Sequence, residues 1–283
     1  MTELSLGRSL NAALGAAVLC AAVAVQAARA SADGVVLVPH RAVYELALAT
    51  TRGGSGVSSV VGRMVYDLTG SPCEGYTQNM RFVTRIAHQS GGTSVTDLRS
   101  STWEDAAGKR FRFDSSQYRD DKSTETTTGD ATRSEPDGAI KVDLSKPAKR
   151  TLTMPAGAYF PIQHSIALIE AARAGKASLR ADLYDGSEKG EKVYDTVTAV
   201  GRLQPPGRLP AGVKGDRLNA RAWPVSIAYF EPRSENSDAQ PVYEISFLMY
   251  ENGVSRNLHI DYGDFVLEGD ITQIDFHEPS KCK

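Results

Sequence analysis

Phe247-Leu248-Met249-Tyr250-Glu251-Asn252-Gly253-Val254 reads as an apolar strand that runs into an Asn-Gly turn and starts back. Asn-Gly takes positive φ at both turn positions at low cost, so the flanking segments are predicted to pair as an antiparallel hairpin. The same pattern continues in both directions. Segments 41–48, 57–66, 80–86, 94–103, 109–118, 193–200, 223–230, 242–250, 255–261 and 265–276 carry strand-type residues, most in partial alternation. Turn signals such as Gly53-Gly54-Ser55-Gly56, Gly91-Gly92, Ala107-Gly108, Asp137-Gly138 and Tyr262-Gly263 separate them. About a dozen short strands joined by tight turns make a mainly β protein, a large antiparallel sheet rolled or closed so that its edges are protected.

One segment breaks the two-residue period. Pro161 stands where a helix tolerates proline, Ile162, Ile166 and Ile169 recur at helical spacing, Leu168 and Ala172 widen the stripe, and Ala174-Gly175 supplies the stop. This single helix is predicted to pack against the sheet. Pro155, Tyr159 and Phe160 precede it, and Leu183-Tyr184-Asp185-Gly186-Ser187 after it reads as a strand running into a turn. His164 falls near the helix start, where a neutral imidazole is expected to hydrogen-bond a neighbouring strand; a binding or catalytic role is the alternative. Segment 122–134 is rich in Thr with alternating charge and is expected to be a solvent-facing hairpin. The Pro/Gly-rich run 204–221, with Arg208, Lys214, Arg217 and Arg221, is expected to be a solvated surface loop.

The chain has 283 residues, 41% of them hydrophobic, enough for a sizeable core. Its 32 Lys and Arg stand against 34 Asp and Glu, a balance with no general pull toward nucleic acid. Residues 1–30 are expected to be a cleaved signal peptide: Arg8 lies in a short polar opening, an Ala/Leu/Val run follows, and Ala28-Arg29-Ala30 offers small residues before a cut at Ser31. A cut after Ala27 is the alternative. The apolar run is shorter than the roughly twenty residues that span a bilayer, so residues 31–283 are expected to be one exported domain that does not cross a membrane. Cys20 lies deep inside the run behind Leu19, too large a residue for lipoprotein processing. Cys73 and Cys282 are then an even pair in an oxidising compartment, expected to form a disulfide, with two unrelated thiols as the alternative.

Catalytic patterns are missing from the sequence. It has no Gly-x-Ser-x-Gly elbow and no phosphate-cradling glycine loop before a helix. His40, His88, His164, His259 and His277 show no metal-ligand spacing, so neither a metal nor a cofactor is expected. The acid pairs Glu104/Asp105 and Asp120/Asp121 sit beside turns and are expected to be solvated turn charges. His40 and Arg41 follow Pro39 at the first strand, pointing to opposite faces, and are expected to be structural.

Three stretches carry a family resemblance. Leu37-Val38-Pro39-His40-Arg41-Ala42-Val43-Tyr44-Glu45-Leu46, the block from Phe160-Pro161-Ile162-Gln163-His164 to Ala174-Gly175, and Tyr184-Asp185-Gly186-Ser187 resemble the EipB family of periplasmic cell-envelope integrity proteins in Gram-negative bacteria. The resemblance runs over essentially the whole mature chain, and the central block is its most specific part. It implies a single many-stranded antiparallel β-barrel, spiral-like and incompletely closed, that holds one central α-helix and is related in outline to periplasmic lipoprotein carriers. The family's disulfide falls on Cys73 and Cys282. A functional partnership with a periplasmic tetratricopeptide-repeat protein is also implied, and no catalytic residues are carried over.

The resulting expectation is a non-enzymatic periplasmic protein that supports envelope integrity and outer-membrane homeostasis by binding a lipid, a lipoprotein or a periplasmic protein. His164, Phe160, Asp185, His40 and Arg41 are the candidate binding or structural residues. The alternative is an envelope-acting hydrolase or transferase using Asp182, Asp185 or His164. A histidine and a carboxylate joined in one pocket would favour the enzyme, and an apolar groove without that pairing would favour binding.

Overall fold

Strand β1 (His40–Thr51) buries Ala42, Tyr44 and Leu46 and leaves Arg41, Val43 and Glu45 accessible, the two-residue period that a sheet with one apolar face imposes. It is followed by β2 (Val57–Ser71), β3 (Gly75–His88), β4 (Thr93–Glu104), β5 (Arg110–Arg119), β6 (Lys122–Thr132), β7 (Ile140–Lys146) and β8 (Arg150–Met154). Helix α1 (Pro161–Arg173) comes next, then β9 (Ser178–Leu183), β10 (Tyr194–Val200), β11 (Ala222–Phe230), β12 (Tyr243–Tyr250), β13 (Ser255–Asp261) and β14 (Phe265–Phe276). The computed structural model describes residues 34–205, 209–210, 213, 215–232 and 240–282. The signal-peptide reading, Arg208 and Lys214 lie outside them.

All described strands join one sheet in the order β8-β7-β6-β5-β4-β3-β2-β1-β14-β13-β12-β11-β10-β9. Consecutive strands are sheet neighbours except β8 and β9, and β1 pairs with β14, which joins the two halves of the meander. The edges β8 and β9 do not pair with each other, so the barrel stays open as expected. The chain leading into α1 covers part of that gap. Tyr159 N–H donates to the Asp182 carbonyl at 2.7 Å and Tyr184 N–H to the Tyr159 carbonyl at 2.9 Å, which occupies edge groups of β9 that would otherwise template another strand.

The β12–β13 hairpin forms, with a different turn from the one expected. Gly253 takes a φ of 88° while Asn252 does not enter the positive region. Tyr250 and Val254 close a three-residue loop, Tyr250 N–H to the Val254 carbonyl at 2.9 Å and Gly253 N–H to the Tyr250 carbonyl at 3.0 Å. Tertiary demands select this form: Asn252 Nδ2 donates to the Arg217 carbonyl at 2.7 Å, and a Cβ on Gly253 would lie 2.8 Å from Leu37.

Segment 122–134 is not a solvent-facing hairpin. Its main part is the single strand β6, paired with β5 and β7, and Thr127, Gly129 and Ala131 are buried. The missing apolar bulk is supplied from either side, since a Cβ on Gly129 would meet the Phe113 ring at 2.6 Å and Leu144 at 3.0 Å. Strand β9 ends at Leu183 and runs into the turn Tyr184 to Ser187, as expected.

Three buried clusters hold the sheet. Ile162, Leu168 and Ile169 of α1 pack with Trp223, Val225 and Ile227 of β11. At the helix start Phe111, Phe113, Phe160 and Tyr184 form an aromatic group, with Phe111 stacked on Phe160 at 5.1 Å and Tyr184 edge-on to Phe111. A third cluster joins β1, β13 and β14 through Tyr44, Leu258 and Leu267. The C-terminal tail then laces across the end of β1: His277 N–H donates to the Pro39 carbonyl, Ser280 N–H to the Gly70 carbonyl, and Cys282 is disulfide-bonded to Cys73 with 5.7 Å between Cα atoms.

Candidate functional site: a cavity between helix and sheet

Helix α1 does not press on the sheet along its whole length. Between its Leu168/Ile169 side and the wall formed by β11 and β12 lies a cavity of about 270 Å³. Ile227 and Met249 of that wall are buried, whereas Ile245 and Phe247 are only half-buried although they pack against the same apolar core. Their accessible surface faces the cavity, which they line.

Few polar groups line it, and most are already engaged. Gln78 donates to the Tyr66 hydroxyl at 2.8 Å and accepts from Thr102, while Ser165 Oγ donates to the Pro161 carbonyl at 3.0 Å. His164 is buried and its Nε2 lies 3.3 Å from Thr196 Oγ1. That hydroxyl gives its one proton to the Ala181 carbonyl at 2.7 Å, so His164 is the donor and carries its proton on Nε2. Burial holds the imidazole down to about 4, which keeps it neutral at physiological pH. Asp185, in the turn after β9, also lines the cavity and accepts from Ser187 N–H at 2.9 Å. Burial raises its pKa, opposed by the hydrogen bonds from Ser187.

The cavity thus brings together two of the sequence-derived candidates, His164 and Asp185, without joining them: one bonds Thr196, the other Ser187. Phe160 lies just outside, fully buried, with the Arg133 guanidinium 4.4 Å above its ring. His40 and Arg41 are elsewhere. His40 packs against Tyr66 and Phe276 with Nδ1 on the Val38 carbonyl at 2.7 Å, and burial lowers its pKa. Arg41, on the opposite face, stands across from Asp67 and Asp275 on the neighbouring strands.

Glu104 is the largest departure from expectation. It is not a solvated turn charge but is 1% exposed, and its two carboxylate oxygens accept from the N–H groups of Ile162 (2.8 Å) and Gln163 (3.0 Å) at the helix start. Phe160 at the N-cap offers no side-chain acceptor, so β4 caps the helix from across the molecule. Burial pushes Glu104 up to about 8, against the pull of the two N–H donors and Arg133. Arg133 in turn donates to the carbonyls of Gly108 and Ala158, fixing the segment that leads into α1. Asp105 does keep its turn role, accepting from Lys109 and Arg110 N–H.

A larger depression, about 420 Å³, lies on the other face of β2 and β3, floored by Val61, Val65 and Val83 and rimmed by Arg63, Arg81 and Arg85. Its charge is largely compensated within the sheet, Arg63 by Glu45 and both Arg81 and Arg99 by Asp97. The cavity under α1 is the better candidate because Ile245 and Phe247 keep accessible apolar surface on its wall. Among the described residues no group of three His, Cys, Asp or Glu side chains converges as a metal site, and no helix is long and apolar enough to cross a membrane.

An open antiparallel sheet rolled on one helix, with an apolar cavity between them, defines a β-barrel-like protein. The sequence pattern of the EipB-like proteins matches residues 31–278. The chain is 42% identical over 256 residues to the cell envelope integrity protein EipB of Brucella abortus (strain 2308), covering 90% of each chain. It also superposes with a TM-score of 0.80 on the crystal structure of a β-barrel-like protein of a domain of unknown function from Brucella abortus, at 40% identity, over 86% of this chain and 99% of the other. The chain belongs to the EipB-like family.

Proposed function

We propose that this protein is a non-enzymatic periplasmic factor that supports cell-envelope integrity by holding an apolar ligand, a lipid or the lipid part of a lipoprotein, in the cavity under α1. The observation that carries the reading is the half-buried pair Ile245 and Phe247, apolar side chains turned into a cavity instead of a packed core. The relative from Brucella abortus, named a cell envelope integrity protein, supports the cellular role. The separation of His164 and Asp185 speaks for binding over acid-base chemistry, since neither activates the other. Export rests on residues 1–30 read as a cleaved signal, and the mature domain is residues 31–283.

Native mass spectrometry of protein purified from the periplasm, followed by organic extraction and lipid analysis, tests this. Stoichiometric lipid is the expected result. Empty protein in every preparation overturns the cavity reading and transfers the role to a protein partner on the outer surface, for which a tetratricopeptide-repeat protein is the first to try in a pull-down.

A further inference from the structure

Among the described residues Asp185 makes no ion pair. Among the described residues, the charged side chain that acts on it most strongly is Glu188, another anion. Lys192 Nζ, on the Tyr194 ring at 5.2 Å, is paired with Glu231 at 2.8 Å. A carboxylate partly withdrawn from water is ordinarily matched by an opposite charge, and here its partners are hydrogen bonds within its own turn, Ser187 N–H at 2.9 Å among them. The turn that carries it is costly to build: Gly186 adopts a φ of 75°, and a Cβ there would lie 2.5 Å from the Phe113 ring. Tyrosine rings surround that end of the cavity. Tyr229 lines it and stacks on Tyr243 at 4.3 Å, with Tyr194 edge-on to both.

We infer that the cavity selects an amphiphile with an amine head group, its ammonium on Asp185 beside the tyrosine rings and its aliphatic chain along Ile245 and Phe247. The inference rests on the binding reading above and adds the charge of the ligand. A carboxylate supplies a charge-assisted hydrogen bond to an ammonium, and the faces of the tyrosine rings at that end of the cavity add to it. A fatty carboxylate would meet like charge at the same place, and a neutral head would leave Asp185 unmatched.

Isothermal titration calorimetry of delipidated mature protein with 1-dodecylamine, 1-dodecanol and dodecanoate, each below its aggregation limit, separates the possibilities. The amine is expected to bind about tenfold or more tightly than the alcohol, the scale of one charge-assisted hydrogen bond, and dodecanoate weakest. Asp185→Asn, nearly isosteric, should remove the advantage of the amine over the alcohol. Equal affinity of amine and alcohol in the wild type overturns the inference and leaves the binding reading intact, and so does a preference that survives Asp185→Asn. Failure of all three probes overturns both. The wild-type comparison stands even if Asp185→Asn does not fold, and Ile245→Trp, which fills the cavity, should weaken amine and alcohol alike.

Discussion

Glu104 and His164 are buried ionisable groups at one helix start, and their protonation pulls stability in opposite directions. Glu104 holds its proton up to about 8 in the folded state, well above its ordinary carboxylate value. The folded protein therefore binds more protons than the unfolded chain between those limits, and this contribution to stability is lost as pH rises through about 8. His164 is the reverse: held down to about 4, it contributes stability above its ordinary value of 6.5 that is lost as pH falls toward 4. Urea unfolding across pH 4 to 9 should show both limbs. Glu104→Gln is expected to flatten the alkaline limb and His164→Gln the acid one, each judged by slope and not by absolute stability. An alkaline limb unchanged in Glu104→Gln would show that the carboxylate is ionised throughout. His164→Ala is expected to fold, since the side chain makes one long hydrogen bond.

At the scale of elements, α1 depends on its buried stripe and on the turns that receive it. Ile169 is 1% exposed, so Ile169→Ala should cost about 2–5 kcal/mol by urea denaturation, as core truncations of this kind do. Val61→Ala, on an exposed stretch of β2, should change stability by less than about 0.5 kcal/mol. Gly186→Ala combines a positive φ with a clash against Phe113 and is expected to destabilise by about 1–3 kcal/mol, with loss of amine preference because Asp185 moves. The helix was legible because Pro161, the isoleucine spacing and Ala174-Gly175 are all local signals. Its cap was not, because Glu104 lies 58 positions away. The one hint was negative: Phe160 cannot cap, so an acceptor had to come from elsewhere. The same limit hid β6, whose threonine-rich strand is buried by its neighbours and not by its own bulk, whereas β7 carries a local signal in the alternation of Ile140, Val142 and Leu144.

For the whole molecule the disulfide matters most, because it spans 209 positions and pins the tail to the β2–β3 turn. Closing so long a loop lowers the entropy of the unfolded chain by the equivalent of about 5 kcal/mol as an upper figure. Cys73→Ser and Cys282→Ser are expected to lower the melting temperature by similar amounts, with the double variant no worse than either. A wild-type melting temperature unmoved by reductant would show that the bridge contributes nothing. The seam between β8 and β9 should open first, since no strand ladder closes it among the described residues and its backbone link is the Tyr159 bridge, and hydrogen exchange at Tyr184 N–H reports on that.

Local pattern alone determined that this chain is a meander of antiparallel strands with one helix, because side-chain period, turn glycines and helix stops are properties of neighbours in sequence. The cysteine pair follows from counting once residues 1–30 are read as a leader. Tertiary structure decided what each pattern means in space. It left the sheet open between β8 and β9, turned Glu104 from a surface acid into a helix cap, and placed Asp185 at an apolar cavity. Each of these depends on which distant side chain or backbone group arrives at a given point, and burial and pairing over such distances have no signature in the residues themselves.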